Sequence, residues 1–211
     1  MLRILEEPSG KTRMRFNDND LMFVMETIHD RHVRRRRISR NELSQFTGME
    51  ESVIRGITGK LTELGFLDTT RGGSVLSPLG VDFIDALGIS LLHLKYTDSA
   101  FGIHQVTLRV RDMSDRVVFG VEQRDAALKS GGDGCTTIFY RNDQLFMPPN
   151  WNVDENTPEL SEQIRRYDLR ENDLILIGGS NIGLRQAGAA VNSAMLDLVG
   201  KRSNASPRSY T

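Results

Sequence analysis

Apolar residues recur at helical spacing early in the chain. Leu21, Val24 and Ile28 step by three and four and predict a helix over residues 18–30 with one buried stripe. Asp18 and Asp20 at its start suit the helix dipole. Ser39 followed by Glu42 is a capping box ahead of a short helix, Arg40–Phe46, which Thr47-Gly48 closes. A third helix, about Glu50–Leu64, carries Val53, Ile57, Leu61 and Leu64 on one face, and Gly65 ends it. Phe66–Thr70 and Ser74–Leu76 flank Arg71-Gly72-Gly73 and predict a hairpin. Ser77-Pro78 supplies an N-cap and a first-turn proline for a further helix striped by Leu79, Phe83 and Leu87.

The pattern then changes period. Tyr96–Gly102 is a polar, small-residue break. From His104 to Arg111, Val106, Leu108 and Val110 alternate with polar residues, as in a half-buried strand. Val121–Ser130 reads as a helix closed by Gly131-Gly132. Cys135–Arg141 and Leu145–Met147 bracket a turn, and Pro148–Asn152 does not continue a regular strand. Thr157-Pro158-Glu159 opens a helix to about Tyr167. Leu174–Ile177 reads as a short buried strand, and Gly178-Gly179-Ser180-Asn181 leads into a last helix. The class expected is α+β: an N-terminal winged helix-turn-helix order followed by a mixed α/β domain. The divisions are an extension 1–16, a first domain 17–95, a linker 96–104, a second domain 105–200 and a tail 201–211.

Composition narrows the chemistry. The 211 residues hold 27 Lys+Arg, 28 Asp+Glu and one Cys. One Cys excludes an intramolecular disulfide framework and a multi-Cys zinc site, and it fits a reducing cytoplasm. No apolar run approaches the roughly 18 residues of a membrane span, and the N-terminus lacks the apolar stretch of a secretory signal. A cytoplasmic protein without a membrane partner is expected. Near-neutral net charge argues against a chain that is basic throughout, but the average conceals a patch. Six arginines and no acid lie between Arg31 and Arg40, with Arg34, Arg35, Arg36 and Arg37 consecutive. Such a run is a solvated loop, a basic address tag or a phosphate-contacting segment.

What flanks the run favours phosphate. The stretch Val53-x-Arg55-x-Ile57-x-x-x-Leu61-x-x-x-Gly65-Phe66-Leu67, followed by Leu76-Ser77-x-x-Gly80, resembles winged-helix transcriptional regulators over about residues 17–95. In a helix-turn-helix the second helix enters the major groove with its N-terminal residues leading. Ser52, Arg55, Thr58 and Lys60 are then the polar candidates for DNA contact. Arg55 suits guanine or phosphate. Arg71 at the hairpin tip and Arg34–Arg37 with Arg40 suit the backbone. Glu50 and Glu51 stabilise the helix start but repel phosphate. Gly56 and Gly59 each cost about 1 kcal/mol of helix propensity, and either admit a partner to the backbone or ease internal packing.

Two features of the second half are candidates for a small ligand. Gly178, Gly179, Ser180 and Asn181 lie between a strand and a helix, where free N–H groups favour anions. Glu122, Arg124 and Asp125 open a helix after Gly120 and form a candidate clamp for an amino acid or phosphate. The run Gly120–Ala127, with Gly134-x-Thr136-Thr137, is similar to the C-terminal domain of archaeal winged-helix proteins. That resemblance implies a two-domain, regulator-like protein and supplies no ligand. His29 and His32 have a spacing that can hold a metal, but no carboxylate or Cys set accompanies them. Cys135 reads as a small buried residue. No nucleophile–base pair, metal set or complete cofactor loop is present, so no catalytic residue and no cofactor is assigned. The expected function is a DNA-binding regulator of double-stranded DNA, working as a homodimer, whose second domain dimerises, senses a small-molecule effector, or both. The alternatives are an enzyme acting on a small anionic ligand with an appended winged helix, and a winged-helix module for protein contacts.

Overall fold

A computed structural model of the chain describes residues 15–33 and 36–202. The chain begins with helices α1 (Asp18–Val33), α2 (Arg40–Thr47) and α3 (Glu51–Glu63). The hairpin of β1 (Leu67–Thr70) and β2 (Gly73–Leu76) and helix α4 (Pro78–Leu87) follow. The expected caps are formed. Glu42 N donates to Ser39 Oγ at 3.2 Å and Ser39 N to Glu42 Oε2 at 2.9 Å. Gly48, with φ at 68°, ends α2, and Ser77 caps α4 ahead of its first-turn proline. The segment before α2 does more than connect. Ile38 pairs antiparallel with Ser74, so it adds a one-residue third strand to the hairpin.

The rest of the chain is built on a six-stranded sheet. Its strands are β3 (Ile89–Leu92), β4 (His104–Val110), β5 (Gly134–Arg141), β6 (Gln144–Met147), β7 (Trp151–Asn152) and β8 (Leu174–Ser180). Their order is β3-β4-β8-β5-β6-β7, and every neighbouring pair is antiparallel. Helices α5 (Val121–Lys129) and α8 (Leu184–Arg202) pack on one face. Short α6 (Val153–Asn156) and α7 (Pro158–Arg165) cover the other, over Ile138, Ile175 and Ile177. The architecture is a mixed α+β fold with antiparallel sheets.

Four elements differ from the sequence expectation. Residues 89–92, which the first division took in, are a strand of the large sheet, paired from Ile89↔Val110 to Leu92↔Thr107. Trp151–Asn152 does pair as a strand, with Phe146 and Met147, and α6 follows it. The central strand β8 runs on through Gly178, Gly179 and Ser180, all buried. Gly178 lets α8 close on the sheet, because a Cβ there would stand 2.5 Å from Ala187 O and Val191 N. Helix α1 has no solvent stripe along residues 20–28; every one of them is buried. It lies between α2, α3 and α4 on one side and α8 and β3 on the other.

Three contacts fasten α1 to α8. Gly188 leaves room for the Phe23 ring, which a Cβ would meet at 2.3 Å. The buried Asp20 carboxylate takes Arg185 Nε at 2.9 Å and Nη2 at 2.7 Å, a two-pronged pair. It also closes a reciprocal cap with Asn17 at 3.1 Å in each direction. Asn192 Nδ2 donates to Glu26 Oε2 at 3.1 Å. Glu26 Oε1 and Asn192 Oδ1 are both buried acceptors without a donor.

Burial explains that last pair. It pushes the Glu26 carboxyl from 4.5 up to about 8, against the opposing bond from Asn192, so Glu26 is largely neutral at pH 7. Protonation leaves no net charge to be desolvated at this buried contact. Because the folded pKa lies above the unfolded one, this stabilisation is full below about pH 4.5 and is lost as pH rises through about 8. Chemical denaturation from pH 5 to pH 9 is expected to show stability falling over that window. Glu26→Gln keeps both hydrogen-bonding functions without a charge and should remove this component. An E26Q variant with the parental pH dependence would show that Glu26 is not its source.

Candidate functional site

The arginine-bearing elements of the first half are joined by one chain of contacts. Ile38 N donates to Ser74 O at 3.0 Å and Ser74 N to Ile38 O at 2.8 Å. Ser74 Oγ lies 3.1 Å from Thr69 Oγ1, which lies 3.2 Å from Thr62 Oγ1 on α3. The loop with Arg36 and Arg37, the hairpin with Arg71, and α3 with Arg55 therefore hold a fixed mutual arrangement. Gly73 permits it. Its φ is 114°, and a Cβ there would meet Ile38 O at 2.5 Å.

The candidate side chains divide in three ways. Arg34 and Arg35 lie outside the described residues. Arg40, Arg55 and Arg71 are exposed, and no side-chain partner holds them among the described residues. Ser52 is exposed beside Glu50, at 3.3 Å. Arg36 is committed to the Glu42 carboxylate, and Arg37 reaches Gly73 O at 3.4 Å. Lys60 is paired with Glu63 at 3.0 Å. Thr58 leaves the set: it is buried on the inner face of α3, with its hydroxyl 3.3 Å from Arg55 O. The two helix glycines also separate. Gly56 faces Phe16, whose ring a Cβ would meet at 2.9 Å, whereas Gly59 has nothing within 4 Å. Packing accounts for the first and not for the second. Glu50, Glu51 and Asp68 are exposed on the same elements, so the surface is mixed in charge.

The glycine segment of the second half is not an anion cradle. Gly178 and Gly179 pair with β4 on one side and β5 on the other. Ser180 is buried and its Oγ accepts from Ile182 N at 3.0 Å. The Asn181 N–H is taken by the Asp133 carboxylate, so the position an anion would fill already holds one. The 120s clamp is not assembled either. Gln123 turns inward, Arg124 pairs at 3.6 Å with its neighbour Asp125, and Glu122 is exposed. Glu122 and Asp125 border a groove with Asp18, Asp197 and one cation, Lys129, a predominantly acidic setting that disfavours anions. Cys135 is buried, and burial pushes its thiol up to about 12, which suits a packing role. His29 is within 3.2 Å of Asp85, and no metal-competent cluster of three ligands occurs among the described residues.

Comparison with other proteins bears on the second half most directly. Residues 101–198 match DUF4443, a domain of unknown function. That stretch runs from just before β4 through most of α8 and contains the glycine segment and the 120s clamp. A solved structure, the hypothetical protein PH0730 from Pyrococcus horikoshii OT3, is similar at a TM-score of 0.70 and 17% identity. The likeness covers 89% of this chain and 95% of that one. It is a likeness of fold, and its coverage carries it beyond the DUF4443 stretch into the N-terminal helices and hairpin. No curated protein sequence matches. Among the described residues, no helix is long and apolar enough to cross a membrane.

Two residues of this arrangement give no signal in the sequence: Ile38 as a strand residue and Asp133 as an internal anion. Ile38 sits between an arginine run and an N-cap, so it has no period to reveal it. Asp133 lies in a Gly-rich turn, and only the sheet register brings it to Asn181. The two glycine environments make opposite predictions for denaturant midpoints. Gly73→Ala should destabilise the fold by about 1–3 kcal/mol through backbone strain and crowding. Gly59→Ala should stabilise it by about 1 kcal/mol through helix propensity. A stabilised G73A would show that the Ile38 contact is not structural.

Proposed function

We propose that this chain is a DNA-binding transcriptional regulator. In this reading α1–α4 and the hairpin form a winged helix-turn-helix that reads double-stranded DNA, and the sheet domain serves dimerisation, small-ligand sensing, or both. The observation that carries the reading is the Ile38–Ser74 bridge, which ties the arginine loop to the hairpin beside α3. It supports a single contact surface in which α3 enters the major groove and the loop and hairpin flank it. Arg55 and Ser52 are the base-facing candidates. Arg71, Arg40 and the arginine run are the phosphate-facing ones. The open backbone at Gly59 supports close approach of a groove to the helix. The exposed Glu50 and Glu51 favour a second reading, a protein-docking surface, because acids at that end oppose phosphate.

Gel-shift titrations against genomic fragments separate the two. Replacing Arg34–Arg37 by alanine should weaken binding to every sequence and reduce the salt slope by about 0.9 for each phosphate no longer neutralised. Arg55→Ala should alter the motif returned by binding-site selection. Gly59→Ala should lose affinity although it stabilises the helix. Absence of DNA binding at low salt would overturn the regulator reading and favour the protein-docking one.

A further inference from the structure

We infer that the cavity where β3 peels away from β4 is a binding site for a small apolar carboxylate. The β3–β4 ladder stops at the Leu92–Thr107 pair, and beyond it Gln105 and Val106 have no strand neighbour on that side. The chain after β3 is drawn off towards α7. His93 N donates to Tyr167 Oη at 2.7 Å and Lys95 N to Gln163 Oε1 at 2.6 Å. The gap this leaves is a cavity of about 210 Å³. That is well above the roughly 10–15 Å³ of such volume that one water needs, and leaves room for a small metabolite.

Its lining sets the ligand chemistry. Phe23, Phe46, Leu91, Leu94, Val106 and Leu184 give apolar walls. Of the charged lining residues, Asp30 lies 3.2 Å from His93 Nε2, an ion pair only when the imidazole carries its proton. Lys95 is exposed, and its ammonium has no partner among the described residues. An apolar pocket with an unpaired ammonium at its exposed edge complements a compact apolar body whose one carboxylate sits at Lys95. The walls come from α1, α2, α8 and the sheet together. A bound acid therefore touches both α2, which carries Arg40 of the proposed DNA surface, and the domain proposed to sense ligands. The inference rests on the sensing half of that reading; the cavity and its charge stand without DNA.

The test uses the full chain without DNA. Phenylacetate and isovalerate are titrated while backbone amide NMR shifts are followed, with 2-phenylethanol as the uncharged control. Both acids should perturb Thr27, residues 91–97 and residues 105–107, and the alcohol should bind about tenfold more weakly, the size of one charge-assisted hydrogen bond. Lys95→Gln, at an exposed position, should bring the acid down to the alcohol and leave the alcohol unchanged. No response to either acid at about 10 mM, shifts centred elsewhere, or equal acid affinity in K95Q would overturn the site. A gel shift with and without phenylacetate then separates the two ideas. A protein that binds the acid but no DNA keeps the site and loses the regulator reading, whereas DNA binding without acid binding does the reverse.

Discussion

The structure depends on one helix being buried on all sides. Along residues 20–28 of α1 the apolar side chains serve two packings at once, and the acidic ones, Asp20 and Glu26, each have a partner on α8. Burial of a carboxylate is costly unless it is paired or neutralised. The two acids use the two available solutions, an arginine fork for Asp20 and retention of a proton for Glu26. The consequence is a continuous core. The buried cluster that holds Ile54 and Leu61 of α3 also holds Leu108 of β4 and Leu174 of β8. The N-terminal helices are thus fixed to the large sheet by shared side chains.

What the sequence made legible was local. The capping box of Ser39 and Glu42, the Ser77-Pro78 start and the Gly48 stop are decided by residues three or four apart, and the structure forms all of them. The helix and hairpin order of the first half followed from them, while four strands of the large sheet were legible from alternation and short apolar runs. What stayed hidden was set by residues far apart. The second buried face of α1 exists because α8 arrives more than 150 residues later. β3 is four residues long and apolar in three of them, so its period does not separate strand from helix end. The glycines of β8 read as a turn because glycine is rare inside strands; here Gly178 admits the α8 backbone and Gly179 that of Phe101.

The candidate site shows the same division. The arginine run was visible by composition, but its setting was not. Glu42 caps α2 and also neutralises Arg36, while Thr58 faces the core because α3 needs that face for packing. The glycine segment illustrates how a motif is redefined by register. Its backbone groups are spent on β4 and β5, and a carboxylate from the neighbouring turn takes the one left over. Net charge near zero is thus not a diluted basic surface but a set of cations many of which are individually answered by acids, with Arg40, Arg55, Arg71 and Lys95 among the exceptions in the described residues.

The pairing of α1 with α8 also has a meaning in time. During synthesis the first helix leaves the ribosome with an apolar flank, a buried acid and a phenylalanine ring whose cover is made by nearly the last residues described. At about 5–20 residues per second the nascent chain waits on the order of ten to thirty seconds for that cover. Contacts of such sequence separation close slowly, because loop entropy must be overcome before they stabilise anything. The short helices α2, α3 and α4, which pack on the other flank of α1, are made long before that cover.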